Sequence, residues 1–91
     1  MHKCVRIILK ASCDHDLVYE FVQKHAQKMQ LEGVVNAMDG SIVVVVCGPK
    51  KQVDDFLDHL HKENKQCSFD EIQVEPFLKD KDYRGVFRVI R

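Results

Sequence analysis

A cysteine, a histidine and two aspartates occur side by side in the 91-residue chain, as Cys13-Asp14-His15-Asp16. Thiolate, imidazole and carboxylate groups are all metal ligands, so this stretch could hold a metal ion. No second pair of ligands at zinc spacing accompanies it. His59 and His61 are two residues apart on a predicted helix and therefore point in different directions. We expect no metal and no cofactor, and we interpret the stretch as a helix cap beside a buried cysteine.

The composition is that of an ordinary soluble domain, with 45% hydrophobic and 31% charged residues. Lys+Arg and Asp+Glu both number 14, which argues against a nucleic-acid partner because such binding relies on clustered cations. The longest apolar run, residues 42–48, is far shorter than the ~20 residues of a membrane span. The N-terminus has no signal-peptide core. We expect one domain over residues 1–91, in the cytoplasm and without a membrane partner.

The chain has four cysteines, and no two of them form a C-x-x-C pair. Nothing else in the sequence indicates an oxidising compartment, so we predict four reduced thiols. Two of the four have strand-like neighbours, where a free cysteine packs as a small hydrophobic residue. The cysteines are Cys4, Cys13, Cys47 and Cys67.

Two helices are predicted from apolar residues at three- and four-residue spacing. The first apolar stripe runs from Leu17 to Met29. Asp14 and Asp16 lie at the start of this helix, where short acceptor side chains cap free N–H groups. The second helix follows Pro49, runs to about residue 64, and is indicated by Val53, Phe56, Leu57 and Leu60.

Five strands are predicted around these helices, and Asp39-Gly40 is a hairpin signal between the second and third strands. The element order is βαββαβ with an added terminal strand. This order predicts a ferredoxin-like α+β sandwich, with an antiparallel sheet of four to five strands and two helices on one face. The predicted strands cover residues 5–10, 34–35, 42–47, 69–74 and 85–90.

Three segments of the chain resemble the acylphosphatase family. The stretch GPKKQV at residues 48–53, followed by Phe56-Leu57, is similar to that family's strand end, charged turn and second helix. The stretch GVVN at residues 33–36, followed by Asp39-Gly40, is similar to its second strand and turn. The ending YRGVFRVIR at residues 83–91 resembles its last strand. Together the three segments extend the resemblance over nearly the whole chain.

The resemblance implies hydrolysis of acyl phosphates, with neither a metal nor a covalent intermediate. In that family a loop between the first strand and first helix cradles the phosphate with backbone N–H groups. An arginine at its end binds the phosphoryl oxygens, and an asparagine on the second strand orients the attacking water. Phosphoryl transfer depends on charge stabilisation and alignment, so these groups suit the reaction.

The chain departs from the family pattern in this loop, which falls on residues 11–19. Tyr19 stands at the arginine position, and His15 stands at the second glycine. Asp14 and Asp16 replace a neutral glutamine and a valine. Tyrosine supplies one neutral donor in place of a charged fork, and two carboxylates repel a phosphate. Tyr19 could instead bind an aromatic or anionic ligand, but we favour a ring that is partly packed at the start of the helix. The other phosphate-loop equivalents are Ser12, Cys13, Leu17 and Val18.

The position of the family's asparagine depends on the alignment of one strand. Counted forward from Gly33 without a gap, it falls on Ala37. Asn36 takes the catalytic role only if this strand is one residue shorter than the family's. The alternative is that Asn36 is a strand-end residue before the turn, as asparagine often is.

The resemblance and the departures from it leave two candidate functions. In the first, the chain is a catalytically degenerate acylphosphatase-like domain that serves as a small binding or structural module. In the second, it is a working acylphosphatase that binds phosphate or an acyl phosphate through Asn36 and backbone N–H groups, with Arg6 or Arg88 as a substitute cation. The missing arginine favours the first, because its loss costs several orders of magnitude in phosphoryl transfer.

The apolar run from Ile42 to Cys47 bears on assembly. One face of a ferredoxin-like sheet packs on helices and the other faces water. Apolar residues at every position make both faces of this strand apolar. Either a second chain covers the open face as a homodimer, or the run reflects β propensity on a middle strand.

Overall fold

The structure is a computed structural model that describes residues 2–11, 14–62, 69–76 and 85–90. In this part of the chain the elements follow the predicted order, although the end predicted for the second helix lies outside the described residues. The elements are β1 (His2–Ala11), α1 (His15–Lys28), β2 (Glu32–Met38), β3 (Ser41–Pro49), α2 (Lys50–Lys62), β4 (Phe69–Pro76) and β5 (Phe87–Ile90).

The strands form one five-stranded sheet in the order β4-β1-β3-β2-β5. The pairs β1–β3, β1–β4 and β2–β3 are antiparallel, as predicted, whereas β2 and β5 are parallel. The sheet is therefore mixed, which corrects the expectation of a purely antiparallel one. The chain leaves β4 at Pro76 beside Val5 and enters β5 at Phe87 beside Gly33. Both points lie at the end where β1 and β2 begin, so β5 runs in the direction of β2.

The hairpin between β2 and β3 confirms the turn predicted at Asp39-Gly40. Met38 pairs with Ser41, which leaves a two-residue loop. Both loop residues have positive φ, 52° for Asp39 and 80° for Gly40. This is the type I′ geometry that matches strand twist, and Asp-Gly is one of its preferred sequences.

The helices share one face of the sheet, with α1 against β2 and β5 and α2 against β3 and β1. The predicted apolar face of α2 is confirmed, because Val53, Phe56 and Leu60 are all fully buried. In α1 the buried face is shifted by comparison with the prediction. Leu17 is 40% exposed, while Tyr19 is only 5% exposed. Neither helix is long and apolar enough to cross a membrane, within the residues described.

Alternate strand residues face the helices or lie on the opposite side of the sheet, which we call the open face. On the open face Arg6 Nε lies 3.5 Å from Glu75 Oε1, and Lys10 Nζ lies 3.5 Å from Glu71 Oε2. These side chains are well exposed, so the ion pairs contribute little to stability. The open-face valines of β3 are only 7–9% exposed, because β3 is central and its neighbours flank them.

The prediction of four reduced thiols is wrong for two of the cysteines. Cys4 on β1 and Cys47 on β3 are joined by a disulfide. They pair directly across the two strands, with their Cα atoms 4.2 Å apart. This is close to the ~4.5 Å of a non-hydrogen-bonded antiparallel pair, in which facing side chains approach most closely. The prediction failed because this register was not visible in the sequence. Cys13 and Cys67 lie outside the described residues.

Candidate functional site

The candidate site is the β1–α1 junction, where the resemblance implies a phosphate loop. β1 ends at Ala11 and α1 already begins at His15. The connection is therefore confined to residues 12–14, of which Ser12 and Cys13 lie outside the described part. The remaining loop equivalents, His15, Asp16, Leu17 and Val18, occupy the first turn of α1. At these positions the backbone is helical.

Asp14 caps this helix, as the sequence predicted. The Asp16 N–H donates to Asp14 Oδ1 at 2.9 Å. The Leu17 and Val18 N–H groups donate to the Asp14 carbonyl at 3.1 and 3.4 Å. Three successive N–H groups at the start of α1 therefore have partners within residue 14. In a phosphate-binding nest such groups would point at the ligand.

Tyr19 lies in the hydrophobic core. It is 5% exposed and belongs to the buried cluster that contains Val18 and Val22. Its ring meets the His15 ring edge-on, with 6.3 Å between centroids. A packed aromatic ring therefore occupies the position to which the resemblance assigns the family's arginine.

Asn36 and its alternative Ala37 lie on opposite faces of β2. Val35 is fully buried on the helix side, so strand alternation places Asn36 on the open face and Ala37 on the helix side. Asn36 is half-buried, opposite Val43 and beside Ile90. Tyr19, in the core between helix and sheet, is therefore on the other side of the sheet from Asn36.

The two arginines considered as substitute cations are both on the open face. Arg6 is held beside Glu75 on the β1–β4 side of the sheet. Arg88 lies on β5 opposite Val34, and therefore diagonally from Asn36 across the β2–β5 pair. Diagonal neighbours on one sheet face are within reach of a long side chain. The structure thus brings Arg88, but not Tyr19, to the same face as Asn36.

The charged groups described at the β1–α1 junction itself include Asp14 and Asp16, which are both exposed. Within the described ranges no group of three or more His, Cys, Asp or Glu side chains could hold a metal ion. Among the described residues, Asp54 on α2 has a carboxyl pKa that clearly departs from its ordinary value of 3.8. Hydrogen bonds from Lys3 and Lys50 lower the pKa of Asp54, and this group belongs to the other end of the sheet.

The pairing of Cys4 with Cys47 was not predicted from the sequence. A signal for it was present, because Cys4 directly precedes the first predicted strand, Cys47 ends the third, and these two strands are adjacent in a ferredoxin-like sheet. Pairing β1 with β3 from Leu9 opposite Ile42 brings the two cysteines face to face. Choosing that register required the tertiary fold.

Comparisons with known proteins agree with this architecture. The acylphosphatase family model matches residues 19–89 of the chain. An acylphosphatase of Caldivirga maquilingensis is 30% identical over 83 residues, which covers 89% of this chain and 87% of that protein. The matched part of the chain begins at Tyr19, so the other phosphate-loop equivalents, at residues 12–18, lie outside the match.

Solved structures show the same fold. The acylphosphatase of Coxiella burnetii superposes with a TM-score of 0.84 at 23% identity, covering 98% of this chain and 93% of that one. The acylphosphatase of Bacillus subtilis gives a TM-score of 0.84 at 22% identity, with both chains fully covered. Full-length HypF, in a phosphate- and nucleotide-bound form, gives 0.84 at 23% identity, but only 12% of that chain is covered.

These observations define a ferredoxin-like α+β domain of the acylphosphatase type. The chain belongs to the acylphosphatase family.

Proposed function

We propose that this chain is a catalytically degenerate member of its family, acting as a small binding or structural module rather than as an acyl phosphate hydrolase. The observation that carries the proposal is the burial of Tyr19 at the position of the phosphate-binding arginine. A tyrosine packed in the core supplies no positive charge to a phosphoryl group. Phosphoryl-transfer sites depend on such charge for most of their rate enhancement.

The backbone at the β1–α1 junction supports the same proposal. The N–H groups of Asp16, Leu17 and Val18 donate to Asp14. A phosphate would have to displace the Asp14 side chain to reach the first of these groups. Capping by such a side chain stabilises a helix by about 0.5–2 kcal/mol, and this would oppose the exchange.

Charge opposes phosphate binding at the same place. Asp14 and Asp16 are the residues that cap and begin the helix. A unit negative charge about 5 Å from one carboxylate is repelled by up to roughly 3 kcal/mol at an effective dielectric of ~20. Salt and solvent reduce this figure at an exposed site, but its sign stays unfavourable.

A working hydrolase is the second candidate, and membership of the family favours it. Asn36 would orient water on the open face, and Arg88 would be the substitute cation diagonally across from it. Such a site would be built on the side of the sheet away from α1. It would therefore use a different geometry from the one that the family resemblance implies.

Turnover of a small acyl phosphate such as benzoyl phosphate separates the two candidates. We expect the rate to stay near that of buffer, about 10³–10⁵ below an intact relative assayed in parallel, because loss of the arginine has effects of this size. The Bacillus subtilis acylphosphatase is a suitable positive control. Turnover comparable to that control would overturn the proposal.

Two variants make the assay sharper. Asn36→Ala and Arg88→Gln should leave the background rate unchanged if the chain is degenerate. If there is turnover, a fall in both variants would assign it to the open face. Val74→Ala, which alters an exposed side chain on the helix side of β4, is the matched control for both.

For the module's partner we propose a second copy of the chain, bound through the open face in the cytoplasm. Ile90 lies on this face and is 53% exposed, and Met38 is 49% exposed. An Ile90→Lys substitution should shift a dimer towards monomer in light scattering. Val74→Lys, at a comparably exposed position on the helix side of β4, should not. A wild-type mass that stays monomeric at high concentration would contradict the homodimer.

A further inference from the structure

Cys4 and Cys47 form a side-chain pair on the open face, at the end of the sheet away from the β1–α1 junction. The two residues are 43 apart in sequence but pair directly in the β1–β3 register. The next strand continues the row, because Glu32 on β2 pairs with Cys47. Cys47 is therefore flanked on both sides within the sheet.

The two sulfurs differ in their access to solvent. Cys47 is 1% exposed, because it lies on the central strand between Cys4 and Glu32. Cys4 is partly exposed. The described pairing of β1 with β4 ends at Val5 and Pro76, so no β4 residue of the described part pairs with Cys4. A reagent in solution would therefore reach Cys4 before Cys47.

The side chains beside the two cysteines also differ. The attacking species in thiol–disulfide exchange is the thiolate, which must be reached by the disulfide. Cys47 has Glu32 as its cross-strand neighbour, and Glu32 Oε2 accepts a hydrogen bond from the Gly85 N–H at 2.9 Å. The same-face neighbour of Cys4 along β1 is Arg6, which is paired with Glu75. The assignment of attacking and resolving roles therefore rests on access.

We propose that Cys4 and Cys47 are a thiol–disulfide exchange site, with Cys4 as the attacking cysteine and Cys47 as the resolving one. The co-reactant is a small disulfide of the glutathione class. The Cys4 thiolate attacks one sulfur of this disulfide, forms a mixed disulfide and releases one thiolate. Cys47 then loses its proton and attacks the Cys4 sulfur, which forms the cross-link and releases the second thiolate. Overall, two electrons and two protons leave the pair, and one small disulfide is reduced to two thiols.

The cross-link would report the redox state of the compartment through the stability of the fold. It joins β1 to β3 next to the contact between Lys3 Nζ and Asp54 Oδ1, at 2.9 Å, which ties β1 to α2. A cross-link between residues that are 43 positions apart restricts the conformations of the unfolded chain. The oxidised protein should therefore melt on the order of 10 °C above the reduced protein. None of this depends on whether the chain hydrolyses acyl phosphates.

The test uses the full chain, reduced with dithiothreitol, freed of reductant and mixed with glutathione disulfide. Samples quenched with acid are analysed by intact mass and peptide mapping. In the wild type we expect a transient glutathionyl group on Cys4, followed by a Cys4–Cys47 disulfide. The Cys47→Ser variant should accumulate the mixed disulfide on Cys4. The Cys4→Ser variant should be modified at Cys47 about tenfold more slowly.

Thermal melts of each variant show whether it is folded before the rates are compared, and the wild-type time course requires no variant. If no Cys4–Cys47 peptide forms in the wild type, the exchange site is refuted. If Cys47 is modified as fast as Cys4 in folded protein, the assignment of attacking and resolving roles is refuted. Equal melting temperatures for the oxidised and reduced wild type would refute the link to stability.

Discussion

At the β3–α2 junction the chain passes from Pro49 directly into a helix at Lys50, whereas at the β1–α1 junction residues 12–14 separate Ala11 from His15. Both junctions connect a sheet strand to a helix on the same face. The first of them retains the Gly-Pro sequence that resembles the family. The other carries an aspartate cap and a buried tyrosine where the resemblance places the family's phosphate loop and arginine.

The two junctions are constrained by different physics. At β3–α2, a side chain on Gly48 would overlap the end of Leu31, which is itself buried. At β1–α1, a phosphate loop would need free N–H groups and a cation, and neither of these adds to the core. On the function that we propose, a capped helix turn in place of that loop keeps the fold and adds a stabilising contact. A chain could then remain in the family while its site changes.

The largest effect should come from restoring the family's arginine at the β1–α1 junction. Tyr19→Arg places a charge at a position that is 5% exposed. We expect a loss of unfolding free energy on the order of 3 kcal/mol, because a buried charge without a designed partner is costly. Urea denaturation measures it. Tyr19→Phe is the control and should cost about 1 kcal/mol or less.

The same variant also tests whether Asp14 and Asp16 prevent phosphate binding at the β1–α1 junction. Phosphate affinity measured by calorimetry should stay undetectable for Tyr19→Arg alone. Replacing the whole stretch, with glycine at His15, neutral residues at Asp14 and Asp16, and arginine at Tyr19, should restore binding. Tight phosphate binding by the single variant would mean that the side chain at position 19 can leave the core at little cost. No binding by the full replacement would contradict the location of the loop.

At the β3–α2 junction, Gly48→Ala should have the next largest effect. The added Cβ would lie 2.5 Å from Leu31 Cδ2, so the leucine must shift within a packed core. Overpacking of this kind costs about 1–3 kcal/mol. A Gly48→Ala, Leu31→Val double variant should recover part of the loss in urea denaturation. Strict additivity of the two substitutions would contradict the proposed contact.

The parts of the fold that depend on local pattern could be predicted from the sequence. The spacing of Val53, Phe56 and Leu60 defined α2, and Asp39-Gly40 defined a hairpin turn, because both signals act over a few residues. Acylphosphatase membership was also predictable, since the segments that carry it lie along most of the chain.

What could not be predicted depends on contacts between distant residues. The apolar spacing placed Leu17 on the buried stripe, yet Leu17 is 40% exposed, because the covered residues of α1 are chosen by how the helix packs against β2 and β5. The Cys4–Cys47 pair requires the register of β1 on β3. The placement of Asn36 and Arg88 on the same face requires the parallel pairing of β2 with β5.

A smaller effect should follow removal of the cap at the β1–α1 junction. Asp14→Ala deletes the acceptor for the Asp16 N–H and should destabilise the protein by about 0.5–2 kcal/mol. Asp14→Asn keeps a side-chain oxygen and should destabilise the protein by only about a few tenths of a kcal/mol. Thermal melts of the two variants measure the difference. Equal losses would show that the negative charge at the helix start, rather than the hydrogen bond, stabilises α1.

The smallest effect belongs to the surface of the β3–α2 junction, where Asp54 on α2 contacts Lys3 Nζ at 2.9 Å and Lys50 Nζ at 3.0 Å. Hydrogen bonds from these lysines lower the pKa of Asp54 below its ordinary value of 3.8. The stabilisation is therefore present above that value and is lost as the pH falls through the lowered pKa.

Asp54→Asn should be slightly less stable than the wild type at neutral pH, and the difference should shrink in strong acid and in high salt. Asp55→Asn, one residue further along α2, is the control for removing one negative charge from this helix. A loss for Asp54→Asn that is unchanged by acid and salt would show that the hydrogen-bonding shape of the side chain, rather than its charge, holds β1 against α2.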